Sequence, residues 1–415
     1  MTDMNAGVLI VGAGQAGIQL AVTLRDSGYL GAVTLVGAEP YAPYQRPPLS
    51  KAFLTGRADA AGLAFRTPDF YAQHEITLVR GERISRITAD AAGSGVAEAA
   101  SGRTFGFTRL ALTTGGRPRR LDVAGGELDG ICYLRDVADA LRLRERLAAA
   151  ARLVVVGGGF IGLEIAAAAR AQGRNVTVVE ADDRLLARTV APVTSEFYRT
   201  AHRRRGTEVR LGTVVTGFLG VDGQVAGVEL SDGAMLPADL VLVSVGMVAD
   251  TGLAEQLGLA CDRGIVVDEL ARTSNAAIVA AGDCTVQPQR RGPGTVRLES
   301  VQNAVDQART AALTVAGAPR PYRDVPWFWS DQDTLKLQIA GLSSGHDRCV
   351  VRGDPGAESF SALYYRDGRL IAAECVNRAA DYMAVRRALS QGMTIPPGRA
   401  ADTDLPLKTL TAAVA

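Results

Sequence analysis

Sulfur is the first thing this chain is short of. Five cysteines are scattered over 415 residues, at positions 132, 261, 284, 349 and 375, and no two stand as C-x-x-C. An odd, widely spaced set is not a disulfide framework; it suits a reducing compartment, with each thiol expected as a small buried hydrophobe. Histidine is scarcer: His74, His202 and His346 are far apart, so no metal site is expected. Neither sign of charge dominates. A formal net charge of +1 argues against a nucleic-acid surface spread over the whole chain, though a local basic patch remains open. The start, "MTDMNAGVLIVGAG", has no basic n-region and no cleavage pattern, so no signal peptide is expected and the cytoplasm is the default compartment. The apolar run 153–169 is interrupted by Glu164 and a glycine cluster, and is shorter than the roughly 20 residues of a membrane span.

Glycine, by contrast, is plentiful at 46 residues, and two clusters of it are patterned. Residues 8–12, "VLIVG", suit a buried parallel strand. Gly12-Ala13-Gly14-Gln15-Ala16-Gly17 comes next, which is G-x-G-x-x-G. A helical pattern runs from Gln15 to about Ser27 and stops at Gly28; a second strand spans 32–37, and Glu39 lies 22 residues beyond Gly17. In such a unit the first glycine allows a tight turn and the second lets backbone approach a pyrophosphate. The third packs helix on strand, and the acid receives ribose hydroxyls. The device recurs. A strand at 152–156 leads into Gly157-Gly158-Gly159-Phe160-Ile161-Gly162, then a helix to about Gln172, then "NVTVVE" ending at Glu180, 18 residues beyond Gly162. Two fingerprints 145 residues apart imply two dinucleotides on one chain. Glu180 favours a free ribose 2′-hydroxyl, hence NADH over NADPH; Arg184 and Arg188 nearby would soften that preference by pairing with a phosphate.

The remaining pattern is that of one domain inserted into another. A strand ends in the small-residue turn "TTGG" (113–116), a helix covers 136–151, short β segments fill 207–245, and strands near 238–246 and 273–284 lead back. Asp283, after Gly282, is read either as a flavin ligand or as a helix N-cap. Both tryptophans sit in "PWFWSDQ", where a smaller α+β domain begins. The expected fold class is α/β, with two Rossmann-type units and a C-terminal α+β domain. Its expected boundaries are 1–117 and 246–324 for the first unit, 118–245 for the second and 325–415 for the last.

Five stretches, "RPPLSK" (46–51), "GGGFIGLE" (157–164), "AAGDC" (280–284), "ESVQNA" (299–304) and "PWFWSDQ" (326–332), occur in an order that resembles the FAD-dependent NADH:ferredoxin reductases. The resemblance spans essentially the whole chain and implies a glutathione-reductase-like fold, with an FAD domain at 1–117 and 246–324, an NAD domain at 118–245 and a C-terminal domain at 325–415. It implies FAD held by Gly12, Gly14, Ala16, Gly17, Glu39, Arg46, Lys51, Ile84, Thr114, Gly115, Arg135, Gly282, Asp283 and Val301. It implies NAD along Gly157, Gly159, Ile161, Gly162, Glu180 and Gly246, with Glu164 near the nicotinamide and Trp329 beside the flavin. Where relatives often read G-x-x-P-N this chain has "GMVAD" (246–250). Lys51 is expected to stabilise charge on a reduced flavin, and as a buried ammonium it needs a carboxylate partner, for which we choose Glu164.

No thiol pair stands near 44–51, so electrons are expected to leave the flavin directly for an external [2Fe–2S] ferredoxin serving a P450 or dioxygenase. Arg309 and Lys408 are candidates for its docking face; the run Arg203-Arg204-Arg205 is read as a solvated helix end. Two other readings stay open. One is an NADH oxidase or flavin hydroxylase of related fold, although relatives using a single redox cysteine place it near residue 45. The other is a redox-responsive interaction protein resembling apoptosis-inducing factor.

Overall fold

The computed structural model describes residues 7–289 and 294–413. They fall into two compact units, one made of Met1–Gln45, Ala60–Arg117 and Met247–Asp324, the other of Arg46–Asp59, Pro118–Gly246 and Val325–Ala415.

The first unit is built on a five-stranded parallel sheet in the order Ile278–Ala280, Arg109–Leu112, Val8–Val11, Val33–Gly37, Ile76–Arg80. Val8 pairs with Val33 on one side and Arg109 on the other. Alternate residues of the central strand feed two cores. Val8 and Ile10 meet the helical layer, where helices Gln15–Asp26 and Val301–Val315 pack through Leu20, Leu24, Ala304 and Ala308. Leu9 and Val11 meet an antiparallel sheet, Ile84–Ala89, Gly95–Ala99 and Thr104–Phe107, through Ile87, Ala97 and Phe107. A strand buried on both faces has no room for polar alternation, which is why "VLIV" is apolar throughout.

The second unit repeats this plan. Its parallel sheet runs Glu208–Arg210, Asn175–Val179, Arg152–Val156, Leu240–Val243, Ile131–Cys132. Leu153 and Val155 face one core with Leu163 and Ala166 of helix Phe160–Ala171. Val154 and Val156 face another, with Phe218 and Val228 of the antiparallel strands Val215–Val221 and Gln224–Leu230.

A second sheet in this unit is antiparallel, in the order Trp327–Gln332, Leu335–Gly341, Arg369–Val376, Ser359–Arg366, Arg348–Asp354, and carries helix Ala379–Ser390 on one face. Its other face shares the core of the dinucleotide sheet: Leu337, Phe360 and Tyr364 pack with Phe197 and Tyr198 of helix Pro192–Arg204. The segment 46–59 belongs here too. Its short 3₁₀ turn Pro47–Ser50 meets helix Phe160–Ala171, and Leu54 enters the shared core.

The expected solvated arginine end is found at the close of helix Pro192–Arg204, where Arg203 and Arg204 are exposed, although two of the three arginines also make ion pairs. Arg204 and Arg205 both bind Glu358, and Arg205 also reaches Asp333 at 3.4 Å. The cysteines depart from expectation: Cys132, Cys284 and Cys375 are buried, but Cys261 is half-buried and Cys349 exposed. Among the described residues, no helix is long and apolar enough to cross a membrane, and no cluster of His, Cys, Asp and Glu could hold a metal ion.

Candidate functional site

The first glycine turn is shaped by what a side chain would hit. Gly12 has φ +111°, and a Cβ there would lie 2.2 Å from the Thr113 carbonyl oxygen. A Cβ on Gly17 would lie 2.0 Å from the Gly12 carbonyl oxygen. Gly14 has nothing within 4 Å of its Cβ position, so space opens in front of it. Gly14 is also the N-cap of helix Gln15–Asp26, and no side chain caps that end. Its first N–H groups and the positive end of its dipole therefore face the opening, which suits a pyrophosphate.

Around this turn the unit gathers several of the expected residues. Gly12, Ile84 and Thr114 line one cavity of about 250 Å³, together with Ala38 and Asp250. Thr114 Oγ1 donates to the Asp250 carbonyl at 2.6 Å, and the Asp250 N–H donates to the Gly115 carbonyl at 3.0 Å. Glu39 lies two residues past the strand Val33–Gly37, where Tyr44 O–H donates to its Oε2 at 2.5 Å. Gly282, φ +89°, comes within 3.0 Å of Ala16 Cβ, measured from its own Cβ position. Asp283 is not the cap of the following helix: Ser300 Oγ fills that place, accepting from the Asn303 N–H at 3.0 Å, with Val301 the first helical residue.

The second turn has the same form. Gly157 has φ +107°, its Cβ position 2.3 Å from the Ser244 carbonyl oxygen; that of Gly162 is 2.3 Å from the Gly157 carbonyl oxygen. Gly159 again faces open space and caps helix Phe160–Ala171 without a side-chain bond. Ile161, in the first turn of that helix, is 45% exposed, an unusual place for an isoleucine unless something covers it. Glu180 Oε2 accepts from the Gly158 N–H at 2.6 Å, and Oε1 from the Asp182 N–H at 2.9 Å. Arg184 is committed elsewhere, its guanidinium donating to the Val190 and Ala187 carbonyls. Arg188 packs its guanidinium beside Gly246, whose φ is +101°. Both turns thus fit a dinucleotide: crowded behind, open in front, and with uncapped N–H groups aimed at the opening.

Lys51 and Glu164 meet in the second unit. Lys51 Nζ lies 2.7 Å from Glu164 Oε2, and the carboxylate is 4% exposed. The 3₁₀ turn Pro47–Ser50 presents Lys51, its two prolines setting φ for the turn. Glu164 sits one turn into helix Phe160–Ala171, on the face turned away from solvent. The pair is not alone. Ser50 Oγ donates to Glu164 Oε2 at 2.5 Å, and Ser330 Oγ donates to Oε1 at 2.7 Å. A buried ion pair needs such extra bonds to offset the loss of hydration. Arg46 and Arg135 are also brought together, Nη1 of the first donating to the carbonyl of the second at 2.5 Å.

Trp329 is half-buried in its strand and stacks, tilted, near Trp327 at 5.7 Å between ring centroids. Arg309 is exposed but holds Asp306 at 2.7 Å, and Lys408 lies exposed in the short turn Leu407–Thr409. Tyr44, Ser50 and Ser330 were not singled out from sequence. One signal was available: only three of the 45 basic residues are lysines, and Lys51 is one of them. Another was the pair of polar residues two apart, Ser330 and Gln332, on the strand that carries both tryptophans.

Known proteins are similar to this chain along nearly its whole length. A model of the pyridine nucleotide-disulphide oxidoreductase family matches residues 6–308, and a reductase C-terminal family model matches 327–411. Rhodocoxin reductase of Rhodococcus erythropolis is 46% identical over 97% of this chain and 93% of its own. Putidaredoxin reductase of Pseudomonas putida is 41% identical over 99% and 98%. Among solved structures, the ferredoxin reductase for the CYP199A2 system of Rhodopseudomonas palustris aligns with TM-score 0.94 at 43% identity, covering 98% of this chain and 100% of that one. The covalent putidaredoxin reductase–putidaredoxin complex aligns with TM-score 0.93 at 40% identity, covering 98% of each chain.

Proposed function

Because the chain belongs to the FAD-dependent ferredoxin reductase family, we propose that it draws electrons from NADH and delivers them to a [2Fe–2S] ferredoxin that supplies a cytochrome P450 or ring-hydroxylating oxygenase. The observation that carries this reading is the pairing of two open glycine turns in one chain that has no thiol pair. FAD, when bound, supplies the step that side chains cannot, accepting the two electrons of a hydride and releasing them singly.

The residues have separable tasks in this reading. The N–H groups at Gly14 and Gly159 bind the two pyrophosphates, while Glu39 and Glu180 receive ribose hydroxyls. With Glu180 an acceptor and Arg184 tied to two carbonyls, a 2′-phosphate meets negative charge and no free guanidinium from Arg184, which supports NADH. Lys51 holds a positive charge for the anionic reduced flavin, and Glu164 pairs with that ammonium and aims it. Arg46, Ile84, Arg135, Asp283, Val301 and Trp329 complete the flavin contacts, and Gly246 those of the nicotinamide. Arg309 and Lys408 are the candidates for docking an acidic partner. In domain terms, 1–117 and 246–324 bind flavin, 118–245 bind nicotinamide and 325–415 form the C-terminal domain. The compartment is the cytoplasm, a reading supported by five cysteines with no bond between them.

The test is NADH-dependent reduction of cytochrome c by the flavin-loaded protein, with and without added [2Fe–2S] ferredoxins. Stimulation of many-fold by a ferredoxin is expected. Rapid NADH consumption by oxygen that no ferredoxin alters, or protein that cannot be loaded with flavin, overturns the reading.

A further inference from the structure

We propose that Ser330, Gln332 and His202 are positioning residues, a one-way chain of hydrogen bonds that holds Glu164 as a pure acceptor for Lys51. This rests on the role given above to the Lys51–Glu164 pair.

The chain can be followed outward from the ion pair. Glu164, paired with Lys51, accepts and does not donate, so the Ser330 hydroxyl must donate to its Oε1 across 2.7 Å. With its proton spent, Ser330 Oγ offers only a lone pair to its neighbour, and the amide Nε2 of Gln332 fills it at 3.3 Å. That orients the amide, so Gln332 Oε1 faces His202 Nε2 at 2.8 Å. An amide oxygen cannot donate, and His202 must therefore carry its proton on Nε2. Every donor in the series points toward Glu164.

Burial makes the direction matter. Ser330 is 0%, Gln332 1% and His202 2% exposed, so water does not compete for these bonds. Burial also lowers the His202 pKa, which keeps the ring neutral. The consequence is specific. A hydroxyl normally turns to suit its surroundings, but Ser330 cannot turn away without facing the Gln332 N–H group. Glu164 is then held at both oxygens, by Lys51 and Ser50 on Oε2 and by Ser330 on Oε1. His202 comes from helix Pro192–Arg204, so the chain ties the orientation of Glu164 to the seating of that helix on the C-terminal sheet.

The test uses flavin-loaded protein and three readouts: the rate of flavin bleaching by NADH, the flavin midpoint potential, and the ¹⁵N signals of the histidines, of which there are only three. Ser330→Ala is expected to slow bleaching about tenfold at saturating NADH with an unchanged KM and a shifted potential, whereas Ser330→Thr restores both. Gln332→Glu keeps the Ser330 hydroxyl but puts an acceptor opposite it. The proton turns away from Glu164, and the loss should match that of Ser330→Ala. If Gln332→Glu does not fold, Gln332→Leu serves: it should abolish the Nε2–H signature of His202, with a smaller slowing of about threefold. An Nδ1–H tautomer of His202 in the unaltered protein overturns the proposal. So does a Ser330→Ala rate and potential equal to wild type while Glu164→Gln is slow. If instead Glu164→Gln and Lys51→Met both reduce at the wild-type rate, the role of the pair itself has failed and the chain falls with it.

Discussion

The two glycine turns share a backbone and differ in how each holds its downstream acid. At Gly12–Gly17 and Gly157–Gly162 the first φ values are +111° and +107°, and the third glycines sit 2.0 and 2.3 Å, at Cβ, from the first carbonyl. Glu39 accepts from the hydroxyl of Tyr44, outside the turn. Glu180 is bonded to the turn itself, through the Gly158 N–H, as well as to Asp182. Under the function proposed above, a ribose arriving at the second turn would compete with these backbone N–H groups for its acid. That arrangement suits a ligand that exchanges. At the first turn a neighbouring side chain steadies the acid, which suits a ligand that stays.

The largest test of this contrast replaces the third glycine of each turn. Gly17→Val should give protein that binds flavin weakly or not at all, since overpacking against backbone costs about 3 kcal/mol or more, roughly a hundred-fold in affinity. Gly162→Val should instead leave the protein yellow and remove its reduction by NADH. Visible absorbance and anaerobic NADH titration check both, and flavin loss from Gly162→Val would break the assignment of the two turns.

Glu180→Ala should come next, raising the KM for NADH about tenfold, as expected for lost bonds to a charged acceptor, while NADPH is affected less. Steady-state kinetics with both nucleotides decide it; equal effects would remove Glu180 from the ribose. Tyr44→Phe should be milder. It removes the Tyr44–Glu39 hydrogen bond and should weaken flavin retention by about 1 kcal/mol, around fivefold, with NADH kinetics of loaded protein unchanged. Flavin release on dialysis measures this.

An acid in neither turn supplies the smallest effect and a control. Glu374 is fully buried, accepting from the Ala191 N–H and the Tyr364 hydroxyl, and burial raises its pKa. A carboxyl raised in the folded state binds its proton more tightly there. Its favourable contribution is full below the unfolded value of about 4.3 and is lost as pH rises through the folded value. Glu374→Gln should therefore raise the melting temperature at about pH 8, by the equivalent of about 1 kcal/mol, with the gain shrinking toward about pH 4. Thermal melts at the two pH values check it, and neither flavin nor NADH binding should change.

Much of this was legible before any coordinates. The turns could be read because a strand, three glycines, a helix and an acid occupy fixed places within some thirty residues. The partner of Lys51 was reachable by a physical requirement, since a buried ammonium needs a carboxylate, though nothing local said that it stands 113 residues away. The arginine run ends its helix as expected, but the ion pairs of Arg204 and Arg205 were not legible because their partner, Glu358, lies more than 150 residues downstream. Cys349 was misplaced because Arg348–Asp354 is the edge strand of its sheet and exposed along most of its length, which its sequence alone does not show.

What the chain determined by itself was local: where backbone must turn without a Cβ, where helix ends are left open for phosphate, and that no thiol pair carries electrons away. Those come from spacing, because sterics and hydrogen bonding within a few residues decide them. Tertiary structure alone decided which hydroxyls and amides surround Glu164. Ser50, Ser330, Gln332 and His202 come from three separate elements, and a hydrogen bond between distant residues exists only once apolar packing has brought them within 3 Å or so of each other.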